Sequence, residues 1–213
     1  MSHAPATVHG PHTALLLVGP TSSGKTPLGD HLARHGWCGA RCVHFDFGTR
    51  LRAFAGSSDL PVGLQASDRD HVRELLATGG LLEADRFPIA RALLDAFCVE
   101  QALQPADWLV LNGLPRHPGQ AVALEPVVDV RLVVELTGSP DVLLRRIALD
   151  SGGDRAGRTD DAQDLVRHKL AVYRERTLPL LDHYRCRHAR MHAIHVGVRM
   201  SAADAAAMMP PPL

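Results

Sequence analysis

At 213 residues, with 46% hydrophobic and 22% charged, the chain is long enough to bury one sizeable core and close to single-domain length. Its 23 basic and 23 acidic residues cancel, so no field of one sign points to nucleic acid or an anionic membrane as partner. No apolar run is long enough to span a bilayer.

Residues 1–12 mix Ser, Ala, Pro, Gly and His without apolar periodicity and read as a mobile arm. Short apolar runs then recur as strand candidates: Thr13 to Val18, Arg41 to Asp46, Trp108 to Asn112, Leu132 to Leu136 and Ala193 to Val196. Helical patterns fall between or after them, over Pro27 to His35, Asp70 to Thr78, Pro88 to Gln101, Pro140 to Leu149 and Asp161 to His183. Ser201 with Asp204 suits the cap and first turn of a last, Ala-rich helix, and the proline run in Met209 to Leu213 reads as a mobile tail. Strands alternating with crossover helices predict an α/β fold, a five-stranded parallel sheet covered on both faces by helices.

The four cysteines, Cys38, Cys42, Cys98 and Cys186, lack metal-finger spacing, and no basic-then-apolar leader is visible, so a cytoplasmic setting is expected. His183, His188, His192 and His195 cluster in sequence, but no Cys or carboxylate is spaced with them as in a recognisable metal site. They read as solvated surface histidines.

The strongest chemical signal is Gly19-Pro-Thr-Ser-Ser-Gly-Lys-Thr26, directly after the first strand and opening the first helix. Gly19 and Gly24 free the backbone to turn. The N–H groups through Thr21, Ser22, Ser23 and Gly24 can then face one concavity at a positive helix end, a cradle for the phosphates of ATP. Lys25 supplies a mobile cation for the outer phosphates and Thr26 a hydroxyl for Mg²⁺. Pro27 is tolerated in the first helical turn, where its missing N–H has no use. The cradle alone does not choose among kinases, other NTPases and transferases.

Later blocks narrow the choice. His44-Phe-Asp-Phe-Gly-Thr-Arg-Leu-Arg52 resembles the "STGDLLR" stretch of the adenylate kinase family, and Asn112-Gly-Leu-Pro-Arg-His-Pro-Gly-Gln120 resembles its "DGFPRxxxQ". Gly157-Arg-Thr-Asp-Asp161 is similar to "GRxDD", and Lys169-Leu-Ala-Val-Tyr-Arg-Glu-Arg-Thr-Leu-Pro-Leu-Leu181 to "RLxxYxxxTxPLI". The resemblance covers nearly the whole chain. It implies a P-loop kinase fold over residues 13–208, with an acceptor region near 47–88 and a short lid near 150–160, built on Gly152, Gly153 and Gly157 without a zinc-binding insert.

By the same resemblance, Arg52 and Arg116 hold the acceptor monophosphate and Gln120 its adenine, while Arg146 lies against the donor base. Arg158 and Lys169 join Lys25 and Arg116 at the transferring phosphate. The implied activity is ATP-dependent phosphorylation of a nucleoside monophosphate, AMP first, by a monomer using Mg²⁺.

Three departures stand out. Asn112 replaces the Asp that helps order the Mg²⁺ water shell, so it can hydrogen-bond such water but attracts the cation less. Phe47 replaces a Thr of the acceptor loop, and Lys169 replaces an arginine, losing its two-pronged phosphate contact. In addition, Gly80-Leu-Leu-Glu-Ala84 follows the family's "GxLVP" only loosely. They leave open a catalytically weak nucleotide sensor. The cradle also resembles that of the isopentenyltransferases, against which the blocks around Arg116 and Arg158 argue.

Overall fold

The computed structural model describes residues 10–153 and 163–212. Strands β1 (His12–Val18), β2 (Cys42–Asp46), β3 (Trp108–Asn112), β4 (Val128–Thr137) and β5 (Arg190–His195) form one sheet in the order β2-β3-β1-β4-β5. Every pairing in it is parallel. Leu15, Leu16 and Leu17 are all buried although neighbours in a strand point to opposite faces, so both faces of the sheet are covered. Leu16, Phe45, Leu109 and Leu111 belong to one core, whereas Leu15, Leu17, Val110 and Val134 belong to the other.

The first core is closed by α4 (Phe87–Glu100), through Leu94 and Phe97, and by α8 (Leu178–Cys186), through Leu180 and Leu181. These follow α1 (Lys25–His35), α2 (Phe47–Gly56) and α3 (Ala66–Thr78) and the intervening α5 (Pro118–Leu124), α6 (Pro140–Ala148) and α7 (Gln163–Val172). On the other face, Leu28 and Leu32 of α1 and Leu143 of α6 pack against the sheet. The last helix is α9 (Ala202–Ala207), opened by the expected reciprocal cap of Ser201 and Asp204. No helix of the described residues is long and apolar enough to cross a membrane.

The sequence reading errs in local ways that have physical causes. It has no helix over Phe47–Gly56 or Pro118–Leu124. The first begins on Asp46, whose carboxylate accepts the Thr49 N–H at 2.8 Å, and it contains Gly48, Thr49 and Gly56, poor helix formers held by burial of Leu51 and Phe54. The second is capped by a histidine, His117, an uncommon signal. Where one helix is expected from Asp161 to His183, α7 and α8 are joined by a π-helical turn, Tyr173–Thr177, and residues 161 and 162 lie outside the described ones. The Leu178 N–H reaches back to Tyr173 O, one residue further than in an α-helix, just before Pro179 withdraws a donor.

The ends differ too. His12 is already in β1, with residues 1–9 outside the described ones. The expected mobile tail is tied to the sheet edge, because Arg190 donates to Pro211 O at 2.9 Å and Met209 packs on the core.

α1 approaches β2 closely at Gly29, where an added Cβ would collide with the buried His44 ring, itself bonded to Asp30 at 2.8 Å. Gly29→Ala should therefore lower stability by about 1–3 kcal/mol through overpacking, although alanine favours helix by about 1 kcal/mol. Thermal or urea unfolding measures the sign, and a stabilised variant would contradict this packing.

Candidate active site

In a parallel sheet, loops leaving the carboxyl ends of the strands gather along one rim. Here that rim carries a cleft lined at one end by residues 19–22 and 24–26 after β1 and at the other by Arg52, Leu75, Leu76, Leu82 and Arg116. Asp46 ends β2 and Asn112 ends β3, and the register sets them side by side.

The loop after β1 needs both its glycines. Gly24 sits at φ +95°, in the left-handed region, where it caps α1. A Cβ at Gly19 would come within 2.6 Å of both Leu136 O and Ser23 Oγ. Lys25 lies folded over the loop, its Nζ donating to Gly19 O at 2.7 Å and Pro20 O at 2.8 Å. Its ammonium thus stands at the loop's rim on a stem that can swing outward. The Ser23 hydroxyl is buried without a hydrogen-bond partner among the described residues.

At the floor of the cleft, Thr26 Oγ1 donates to Asp46 Oδ2 at 2.6 Å, and the Asn112 amide donates to Thr26 Oγ1 at 3.0 Å and to Asp46 Oδ2 at 2.7 Å. Burial alone would raise the Asp46 pKa. Bonds from the Thr26 hydroxyl and the Thr49 N–H, with His44 nearby, outweigh it and hold the carboxyl below its ordinary range. Oxygens of Thr26 and Asp46 are the donor chemistry that a hard cation such as Mg²⁺ takes. Among the described residues no cluster of three His, Cys, Asp or Glu could hold a metal by itself, so such an ion would need phosphate oxygens and water to complete its shell.

At the far end, Arg116 is half-buried, and burial pushes its guanidinium below the ordinary arginine value. Among the described residues no side chain or carbonyl pairs with it. A desolvated, unpaired guanidinium facing a cleft is suited to a bound anion. Arg52 is exposed, with one contact to Thr49 Oγ1 at 3.1 Å.

Gln120 is buried, accepting the Arg116 N–H and donating to Leu82 O, each at 2.7 Å. It therefore joins the two segments that bound this end while still lining the cleft. Buried His117 supports the same join, its ring 3.3 Å from Leu82 O. Phe47, 3% exposed, packs with Phe45 with ring centroids 6.1 Å apart, so its bulk goes mostly into the core.

Arg146, expected against the donor base, is tied into the frame behind the phosphate loop. Its guanidinium is 4% exposed and donates to Ser22 O at 2.9 Å, Gly197 O at 2.7 Å and Met200 O at 3.2 Å. It braces the phosphate loop against the segment after β5. It also walls a second hollow behind the loop, shared with Ser23, Arg34, Gly153 and Met200. Arg158 and Gly157 lie outside the described residues, as does the Lys169 side chain.

Three cleft residues, Asp46, Tyr173 and Thr177, carry no site role in the sequence reading. Asp46 carried a usable signal, a lone carboxylate at the carboxyl end of a buried parallel strand. Tyr173 and Thr177 reach the cleft from the π-helical turn, and their signal was their place as the Tyr and Thr of the "RLxxYxxxTxPLI"-like block.

No protein-family model matches the chain. Curated proteins do. It is 34% identical over 179 residues to an adenylate kinase of Prochlorococcus marinus (strain MIT 9303), covering 80% of this chain and 84% of the relative. An adenylate kinase of Synechococcus sp. (strain RCC307) is 31% identical over 200 residues, covering 89% and 94%. One from Haloarcula marismortui is 29% identical, covering 80% and 83%.

The bracing role of Arg146 is testable apart from activity. Arg146→Met should cost about 2–4 kcal/mol, since it strips the donor from several buried carbonyls, and should loosen the phosphate loop. A melting temperature equal to wild type would show that the side chain carries no structural load.

Proposed function

Because the chain belongs to the adenylate kinase family, we propose that it moves the γ-phosphate of ATP to AMP, with both nucleotides bound in the one cleft. The observation that carries this reading is that a phosphate loop and a half-buried arginine, without a partner among the described residues, line opposite ends of that cleft. Two anion sites facing one another are what transfer between two phosphates requires.

An ionised phosphate is already a nucleophile, so the protein needs no general base and acts by positioning and charge neutralisation. Backbone N–H groups over Gly19 to Thr26 would hold the donor phosphates, with Lys25 leaving its carbonyl partners to follow the transferred group. The resting bonds to Gly19 O and Pro20 O hold the ammonium near that position. Mg²⁺, once bound beside Thr26 and Asn112, would offset charge on the donor phosphates.

Arg116 and Arg52 would grip the acceptor phosphate and aim its oxygen in line. Gln120 would serve the acceptor base by holding Leu82 and Arg116 in place, and contact with the base itself would mean exchanging its bond to Leu82 O. The donor base would occupy the hollow walled by Arg34, Gly153 and Met200, with Arg146 behind it. Arg158 and Lys169 would complete the cation set from the lid and α7, a role that rests on their sequence motifs. The segments near 47–88 and 150–160 would be the parts that close over bound nucleotides and exclude water. The sensor alternative has no observation of its own in its favour.

A coupled assay of ATP with each nucleoside monophosphate tests the reading. ADP should form fastest with AMP. Lys25→Ala should lower kcat by about 100-fold or more. Arg116→Ala should lose about 2 kcal/mol of acceptor binding, read mainly as a raised KM for AMP. Background turnover with every acceptor would refute the proposal.

A further inference from the structure

Resting on the kinase reading above, we infer that Asp46 at the end of β2 is the carboxylate that orders the cation's water shell, the role that the family resemblance gives to the position of Asn112 on β3. The charge has moved one strand outward along the rim. In the quoted motifs, Asp46 stands opposite the first Ser of "STGDLLR", and Asn112 opposite the Asp of "DGFPR".

The geometry supports this in three steps. First, Asp46 is the one carboxylate among the described residues that line the cleft. Second, its two oxygens have separate partners. Oδ1 takes the Thr49 N–H at 2.8 Å and caps α2, whereas Oδ2 takes the Thr26 hydroxyl at 2.6 Å and the Asn112 amide at 2.7 Å. A cap alone would be met as well by Ser or Asn. Only a carboxylate also brings a full negative charge beside Thr26.

Third, the direction of the Thr26 bond suits a metal ligand. By giving its proton to Asp46, the hydroxyl keeps an oxygen lone pair available and becomes a more basic ligand, as partners behind a metal's direct ligands do. Asn112 donates to both groups and so fixes the pair without adding charge. Asp46 and Asn112 are register partners on neighbouring strands, so a carboxylate on either strand end reaches the same point.

The test compares ATP binding by calorimetry, without acceptor, in Mg²⁺ and in chelator. A carboxylate beside the triphosphate attracts the cation and repels metal-free ATP. Asp46→Asn should therefore reduce the Mg²⁺-dependent gain in ATP affinity about 10-fold or more, with metal-free affinity unchanged or tighter. Asp46→Ser, which also keeps a capping residue, should behave alike. Asp46→Asn combined with Asn112→Asp should recover the gain by returning the charge to β3.

An unchanged gain in both single variants would overturn the inference. So would an equal loss of affinity with and without Mg²⁺, the mark of a purely structural role. Should wild type bind no ATP under either condition, the kinase reading fails together with it.

Discussion

The molecule depends on a three-way hydrogen-bonded contact at the carboxyl ends of the sheet, where Thr26, Asp46 and Asn112 meet. It ties the first turn of α1 to the ends of β2 and β3, and so fixes the phosphate loop relative to the rim. The contact exists because parallel register brings Asp46 beside Asn112 and sets Asn112 beside Leu17, one residue before the end of β1. Oδ1 of the same aspartate starts α2, the helix that carries Arg52. The phosphate loop, the oxygens of Thr26 and Asp46, and the helix that carries Arg52 thus share one anchor.

A second brace sets the other end of the cleft. Gln120 and His117 hold Leu82 against the turn that carries Arg116, a half-buried guanidinium without a partner among the described residues. Holding a cation in that state costs stability, and a bound anion would offset the cost. Arg146 does the matching work behind the phosphate loop, where buried carbonyls absorb its donors. Of the arginines that the resemblance assigns to nucleotides, the described ones fall into two kinds. Arg52 and Arg116 face the cleft, and Arg146 is built into the frame.

The sheet was legible in the sequence because each strand is a short apolar run in a chain of alternating elements, and the phosphate loop because its glycines and Lys25 follow one of those runs. Helices that rely on tertiary burial rather than propensity were not legible. Phe47–Gly56 is held by Leu51 and Phe54 against poor helix formers, and Pro118–Leu124 opens on an atypical cap. In the site, Arg116 and Gln120 were visible from motif spacing. The burial of Gln120 and Arg146 was not, since it follows from partners 38 and 124 residues away in the chain. Asp46 was not legible as a site residue because it matches no letter of the family motif and gains its place only from the register that sets it beside Asn112.

Transfer between two nucleotides in one cleft is the central claim, and it is reversible chemistry. Following ³¹P resonances of the protein with Mg²⁺ and ADP as sole nucleotide tests it most directly. Two bound ADP molecules facing one another should yield ATP and AMP in equal amounts. ADP that stays intact, or that gives AMP and inorganic phosphate without ATP, would contradict the account.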